Sequence, residues 1–174
     1  MSAPVAASWI ADLLPRAGVL DPVELERLAR AIAARPERWG DLVRHDPERR
    51  TYELLHDDAD VTVWLICWGP GHDTGFHDHE HSGAGVAIAE GAVVDERLTA
   101  FGGPIARRLA DGGSTTIDPA EIHRVHHPGG APAVTVHAYS PPLDRMGAYE
   151  VADDGRLLRH PRSGEADLAP VRED

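Results

Sequence analysis

Residues 71–91 read Gly-His-Asp-Thr-Gly-Phe-His-Asp-His-Glu-His-Ser-Gly-Ala-Gly-Val-Ala-Ile-Ala-Glu-Gly, with four histidines inside ten positions. The glycines on the approach call for a turn. Val86 to Ala89 is an apolar run bounded by the Glu90-Gly91 turn, as in a buried strand. Residues two apart on a strand point to the same side. His77 and His79 can therefore aim two imidazoles at one point, as a metal site requires. A solvated histidine-rich loop, or a surface site for adventitious metal, would also carry this pair, and the pair alone does not choose between them.

The turn-and-strand pattern continues through most of the chain. Tyr52 to Leu55, Ala92 to Leu98, Ser114 to Ile117, Ile122 to Val125 and Ala133 to Tyr139 read as short strands. Val61 to Trp68 is apolar on both alternating sets, which predicts a strand buried on two faces. Gly102-Gly103-Pro104 and Asp111-Gly112-Gly113 read as turns, and Asp95, Glu96 and Arg97 as residues near a rim. Turn signals at intervals of roughly 8–12 residues predict an antiparallel sandwich or small barrel. The first 50 residues read differently. Ile10, Leu13 and Leu14 form a short apolar face, interrupted by Pro15 to Gly18. Asp21-Pro22-Val23-Glu24 has the form of a helix start, with Leu25, Leu28, Ala29 and Ile32 following at helical spacing until Pro36. Trp39, Leu42 and Val43 suggest a further short helix. The expectation is one domain over residues 1–174: helices to residue 50 packed outside, a β-barrel over 51–160, and a loose polar tail over 161–174.

Composition excludes several classes. Net charge is -12, which argues against nucleic acid and an anionic membrane surface as partners. No apolar run reaches the ~18 residues of a membrane span. The N-terminus lacks a basic stretch followed by an apolar core, so no signal peptide is expected. A lone cysteine, Cys67, leaves no internal disulfide and suits a reducing cytoplasm. Eleven histidines are many for this length, and seven lie between His72 and His127.

Two stretches resemble the paired motifs of the cupin superfamily. Gly71, five residues, His77, one residue and His79 fit the first. The position at which that motif places glutamate falls at Ala84, which carries no carboxylate. The second motif is matched by Gly113 and Pro119, with His123 one residue early and His127 where asparagine is expected. The chain thus resembles a cupin without the glutamate ligand, the pattern of the thiol dioxygenases, of which cysteine dioxygenase is the best known. Ile66-Cys67-Trp68-Gly69-Pro70-Gly71-His72, His77-Asp78-His79, Ile122-His123-Arg124-Val125 and Ala133 through Pro142 are all similar to that family. The likeness covers roughly Tyr52 to Tyr149.

That resemblance implies an all-β core, a double-stranded β-helix or jelly-roll barrel, with the N-terminal helices outside. It implies that His77, His79 and His123 bind Fe(II). Three neutral imidazoles leave the ion its full charge, which favours an anionic thiolate beside it. Imidazole suits several divalent metals, so iron follows from the family and not from ligand type. The family's Ser-x-His-x-Tyr triad is matched by Thr135, His137 and Tyr139, with Tyr139 placed to donate a hydrogen bond to dioxygen or substrate. The implied reaction adds both atoms of O2 to the sulfur of a small thiol and yields a sulfinic acid without external reductant. Read without the family, His137 is an ordinary buried histidine and Tyr139 a core aromatic with a bonded hydroxyl.

Two departures affect the substrate. The cysteine that animal family members crosslink to the active-site tyrosine is replaced by Ala84, so no crosslink is expected. The family's carboxylate-anchoring arginine falls near Arg49, Arg50, Thr51 and Tyr52; the alignment is open by one residue and puts Thr51 or Tyr52 at the anchoring position. Arg50, Tyr52 and, beyond the Ser-Pro-Pro turn, Arg145 are therefore candidates for gripping substrate. Cysteine, a 3-mercaptopropionate-like acid and a larger thiol all remain open. His81 is expected at the rim or behind the ligands, His72 as support for its loop, His126 and His127 beyond the strand of His123. His45, His56 and His160 are expected at the solvated surface. Monomer or weak homodimer is the expected state. The competing readings are another three-histidine dioxygenase that cleaves C–C bonds, a non-catalytic cupin that binds metal or a small molecule, and a sugar isomerase, although the last normally keeps the carboxylate ligand.

Overall fold

The computed structural model describes residues 8–100, 103–154 and 156–163. The helical segment comes first in the chain. Helix α1 is Ser8–Ala11, α2 is Pro22–Ala33 and α3 is Pro36–Trp39, followed by a single 3-10 turn at Gly40–Leu42. The Asp21 side chain accepts from the Glu24 amide and Glu24 reaches back to the Asp21 amide. This reciprocal cap satisfies two amides that the first helical turn leaves unpaired, and Pro22 has no amide to lose. The buried stripe of α2 is Leu25, Leu28, Ala29 and Ile32, as the spacing predicts.

Eleven strands follow: β1 Thr51–Asp57, β2 Thr62–Trp68, β3 His77–Asp78, β4 Gly83–Glu90, β5 Ala92–Arg97, β6 Ile105–Ala110, β7 Ser114–Ile117, β8 His123–His126, β9 Ala133–Ser140, β10 Arg145–Val151 and β11 Leu157–Ser163. They build two antiparallel sheets, β1-β2-β9-β4-β7 and β11-β10-β3-β8-β5-β6. Strands β2 and β9 show why one run can be apolar on both sides. Val63, Leu65 and Cys67 with Val134, Val136 and Ala138 pack on the helices. Trp64, Ile66 and Trp68 with Tyr139 face the space between the sheets. Helix α2 lies so close to β4 that a Cβ at Gly85 would sit 2.1 Å from the Glu26 amide nitrogen. Glycine is required there by close approach.

The structure departs from the sequence reading in four places. Strands β6, β10 and β11 appear where no strand was expected. β6 and β11 are largely exposed, β10 buries only Met146 and Gly147, none shows clean alternation, and β11 carries Pro161 at a sheet edge, where a missing amide is tolerated. The barrel strands therefore continue to Ser163, past the expected limit at residue 160; residues 164–174 of the expected tail lie outside the described residues. His56 is buried rather than solvated, because a bulge between Leu54 and His56 turns both Leu55 and His56 inward; its ring meets Asp58 at 2.8 Å. Asp95, expected near a rim, is buried. The Ser140–Pro141 peptide is cis. Among the described residues no helix is long and apolar enough to cross a membrane.

Candidate metal centre and active site

Strand β3 is only two residues long, and its single pairing with β8 sets His77 opposite His123. That register joins two segments more than forty residues apart. His79 follows His77 on the same side, and the chain then reverses: the Ser82 amide donates to the His79 carbonyl, with Glu80 at φ 53. The ligating atoms of His77, His79 and His123 lie within 4.8 Å of one another, and all three rings are buried. Nε2 of His79 and Nε2 of His123 are 3.4 Å apart.

The protons on these rings follow from their partners. His77 Nδ1–H donates to the Gly75 carbonyl at 3.0 Å, and His123 Nδ1–H donates to Asp95 at 2.9 Å. Each donation leaves a lone pair on Nε2. Burial, followed by the neighbouring His123, pushes His77 down to about 3 and His79 well below its ordinary value. These imidazoles stay neutral and keep the lone pairs a metal needs. His79 Nδ1 is buried with no hydrogen-bond partner among the described residues. Two facing Nε2 lone pairs and an orphaned ring nitrogen are poor terms for a closed hydrogen-bond network and good ones for a shared divalent cation. Among the described residues no carboxylate belongs to the cluster. Ala84 is buried in the β4–β9 ladder opposite Tyr139, so that position supplies neither a carboxylate nor a thiol.

Asp95 supports the centre from behind. It accepts from His123 on one oxygen and from Arg97 Nε at 2.9 Å on the other. Burial would raise its pKa, but the His123 and Arg97 hydrogen bonds outweigh burial and hold it below the usual carboxylate value. Arg97 in turn donates to Glu121, Thr115 Oγ1 and the Thr116 carbonyl. A carboxylate behind a ligating histidine fixes its tautomer and ring angle. The sequence reading missed this pair. The available signal was alternation, since Val93, Asp95 and Arg97 share one face of β5.

Strand β9 supplies the opposite wall through Thr135, His137 and Tyr139. Trp68 Nε1–H donates to Thr135 Oγ1 at 2.8 Å; Thr135 Oγ1 and His137 Nε2 are 2.9 Å apart, and His137 Nδ1 and Tyr139 OH 3.2 Å. Indole can only donate. The Thr135 oxygen accepts from Trp68 and keeps a second lone pair, so the direction of its bond to His137 follows the imidazole tautomer. With the His137 proton on Nδ1, Thr135 donates to Nε2, His137 donates to the Tyr139 oxygen, and the phenol proton is left pointing away from His137. The Tyr139 ring stands edge-on to His79 at 5.2 Å between centroids. Burial first, then His123 and Arg50, push His137 down to about 3, so this relay is neutral.

A cavity of about 400 Å³, counting its open mouth, lies over these groups. Arg50, Trp68, His77, His123, His137 and Tyr139 contribute polar or aromatic lining, and Ile66, Val125, Leu143 and Met146 the apolar part.

The sequence profile described as "Cysteine dioxygenase type I" matches residues 3–152. The chain belongs to the cysteine dioxygenase type I family. Human cysteine dioxygenase type 1 is 27% identical over 137 residues, covering 73% of this chain and 68% of the human protein. The zebrafish protein is 26% identical over 142 residues, covering 73% and 69%. Among solved structures, a Klebsiella pneumoniae protein with a double-stranded β-helix domain matches with a TM-score of 0.52 at 19% identity, over 59% of this chain and 80% of that one. A Thermus thermophilus protein matches with a TM-score of 0.53 at 22% identity, over 59% and 92%. At these identities the structures establish the fold, which is the cupin barrel. Membership makes the chain an oxidoreductase of the thiol dioxygenase kind, with a metal-binding site built of three histidines.

Within this cysteine dioxygenase-like site the substrate-gripping candidates separate. Arg50 lines the cavity, with its guanidinium 5.2 Å from the Trp68 ring centroid and 5.5 Å from that of Tyr52. It pairs with no carboxylate among the described residues. Tyr52 lies beneath Arg50, part-buried against the core and outside the cavity lining. Arg145 is exposed, reaches Glu80 at 3.9 Å and lies outside the lining, because β10 turns it to solvent. His81 is exposed beside Glu80, within the turn that follows His79. His72 accepts from the Gly69 amide and steadies the preceding loop. His126 closes β8 and His127 lies just past it, while His45 and His160 are exposed. Cys67 faces the helices and not the cavity.

Proposed function

We propose that the protein is a non-haem Fe(II) thiol dioxygenase acting on a small thiol that carries a carboxylate, such as cysteine or a 3-mercaptopropionate-like acid. The observation that carries this reading is the all-imidazole trio, of which His77 and His123 line one small cavity together with Arg50, a guanidinium paired with no carboxylate among the described residues. His77, His79 and His123 would hold the metal, which supplies the redox centre at which dioxygen and sulfur meet. Arg50 grips the carboxylate with two parallel hydrogen bonds, a geometry guanidinium suits, and the stacked rings of Tyr52 and Trp68 hold it in place. The positive charge of Arg50 and the neutral imidazoles favour thiolate over thiol. Tyr139, oriented by the Trp68–Thr135–His137 chain, donates its proton as a hydrogen bond where negative charge develops on oxygen or sulfur. Ile66, Leu143 and Met146 limit water around the sulfur. The balance is RS⁻ + O2 → RSO2⁻, with both oxygen atoms placed on sulfur and all electrons drawn from it. Free buried Cys67 and a thiol substrate both suit a reducing cytoplasm, and nothing in the reaction calls for a nucleic-acid or membrane partner or for more than a monomer or weak homodimer.

The test is a thiol panel with the Fe(II)-loaded protein, following oxygen uptake and sulfinate by mass spectrometry. Cysteine or 3-mercaptopropionate should consume one O2 per sulfinate formed, and an aminothiol without a carboxylate should react poorly. In Arg50→Met the KM for the thiol acid should rise by about tenfold to a hundredfold, the loss of a charge-assisted hydrogen bond. Consumption of a diketone with no thiol oxidised would assign the site to C–C cleavage instead.

A further inference from the structure

The His77–His79 pair is carried by too little backbone to fix its own direction. Strand β3 pairs with β10 at two positions and with β8 at one. What lies on the other side of that strand is Asp78. Residues two apart share a face, so Asp78 points opposite to both imidazoles. Its carboxylate is gripped from every side. Oδ1 accepts from the Glu80 amide at 2.9 Å, from the Gly147 amide at 3.2 Å and from Arg159 Nη2 at 2.9 Å. Oδ2 accepts from Arg159 Nε at 2.7 Å and from the Tyr149 hydroxyl. Arg159 thus holds both oxygens at once, and Glu80 lies 3.4 Å from its Nη2.

Arg159 comes from β11, the last described strand, and the family match ends at residue 152, before β11 begins at Leu157. The neighbouring chain makes room for it. A Cβ at Gly147 would lie 2.2 Å from Arg159 Nε and 2.7 Å from Asp78 Oδ2. We propose that Arg159 is a positioning residue for the metal centre: by its two-pronged hold on Asp78 it sets the angle at which His77 and His79 meet the metal. The terminal strand, outside the matched family stretch, is thereby part of the metal site's support.

The inference rests on the reading that the three histidines bind a metal, and its test reads metal binding directly. Full-length Arg159→Met, Arg159→Lys and Gly147→Ala are compared with the wild type. The measurements are Fe(II) and Co(II) dissociation constants by chelator competition, the visible absorption of the Co(II) form, and the melting temperature of the metal-free protein. Arg159→Met should weaken metal binding by about 10–100-fold, the range for groups supporting a ligand, and should shift the Co(II) bands. Arg159→Lys should recover part of the loss, since it keeps the charge but not the fork. Gly147→Ala should reproduce the loss by displacing the guanidinium, and should cost less when Arg159 is already Met. If Arg159→Met does not fold, the Lys and Gly147 variants decide the matter. Metal affinity and Co(II) spectrum unchanged from wild type would overturn the proposal. So would a loss that follows melting temperature alone with no recovery in the Lys variant. A wild type that binds metal tightly but oxidises no thiol would refute the proposed reaction and leave this inference standing.

Discussion

The two walls of the cavity are held by different physics. On the β2–β9 wall, strands pair over seven consecutive positions, from Thr62↔Tyr139 to Trp68↔Ala133, and both faces are buried. Period-two alternation along that ladder is enough to aim Thr135, His137 and Tyr139 inward. On the facing wall, β8 is held along its four residues by β5, but β3 has only two residues, paired at two positions with β10 and at one with β8, too little backbone to aim His77 and His79 by itself. There each ligand-bearing segment is backed by a buried carboxylate, Asp95 behind His123 and Asp78 behind His77 and His79, and each carboxylate is anchored by an arginine. Regular ladders position side chains through the backbone, whereas irregular segments need charged side chains to do the same work. A metal centre that must gather ligands from two distant segments falls on the second kind of wall.

The largest effect that would break this contrast is expected at His123. His123→Ala should abolish detectable metal loading, measured by metal analysis after dialysis, while the β2–β9 wall keeps its near-ultraviolet circular dichroism. Retained stoichiometric metal would mean that the short-stranded wall is not the metal wall.

The pH response tests both walls together. His77 and His137 both sit at about 3 in the folded protein, and His79 is also lowered, against an ordinary value of 6.5. Below pH 6.5 the unfolded chain binds more protons than the folded one, so stability falls as pH falls. The metal-free protein should lose stability between pH 6.5 and about 3 more steeply than the ~1.4 kcal/mol per pH unit of a single group. Asp78 is held at about 2; burial would raise it, and the hydrogen bonds of Arg159 and Tyr149 outweigh that. Its contribution is present above the ordinary 3.8 and disappears only as pH falls from there towards 2. Urea unfolding at half-unit pH intervals would show the histidine window opening first; a flat profile from pH 6.5 to 4.5 would contradict buried neutral imidazoles.

Leu65 probes the regular wall alone. It is fully buried in the core shared by the sheet and the N-terminal helices, so Leu65→Ala should cost about 2–5 kcal/mol of stability by denaturant midpoint. Its metal affinity should stay at the wild-type value, and a parallel loss of metal would show that the walls are coupled. The smallest change is expected from Thr135→Val, which cuts the hydrogen-bond chain from Trp68 to His137. Turnover should drop by a few-fold to about tenfold, roughly the worth of one hydrogen bond, with metal affinity unchanged.

The sequence by itself determined much of the regular wall. Alternation in Val61 to Trp68 and Ala133 to Tyr139 placed those strands and their inward residues, and the capped apolar stripe placed α2. The histidine ligands were legible because motif spacing survives in the chain even where strands are short. It did not reveal Asp95 or Arg97, since charged residues on a short strand look the same whether they meet solvent or a buried ring. Nor did it reveal β10, β11 and Arg159, whose exposed faces carry no periodic apolar signal. The sequence put Thr51 or Tyr52 at the anchoring position and offered Arg145 as a substitute beside Arg50, and only folding turned Arg50 into the cavity and Arg145 to solvent. The reason is range. Periodicity and capping are local and can be read along a chain, but the pairing of His77 with His123 and of Asp78 with Arg159 depends on which distant strands become neighbours, and that is decided when the two sheets close on their shared core.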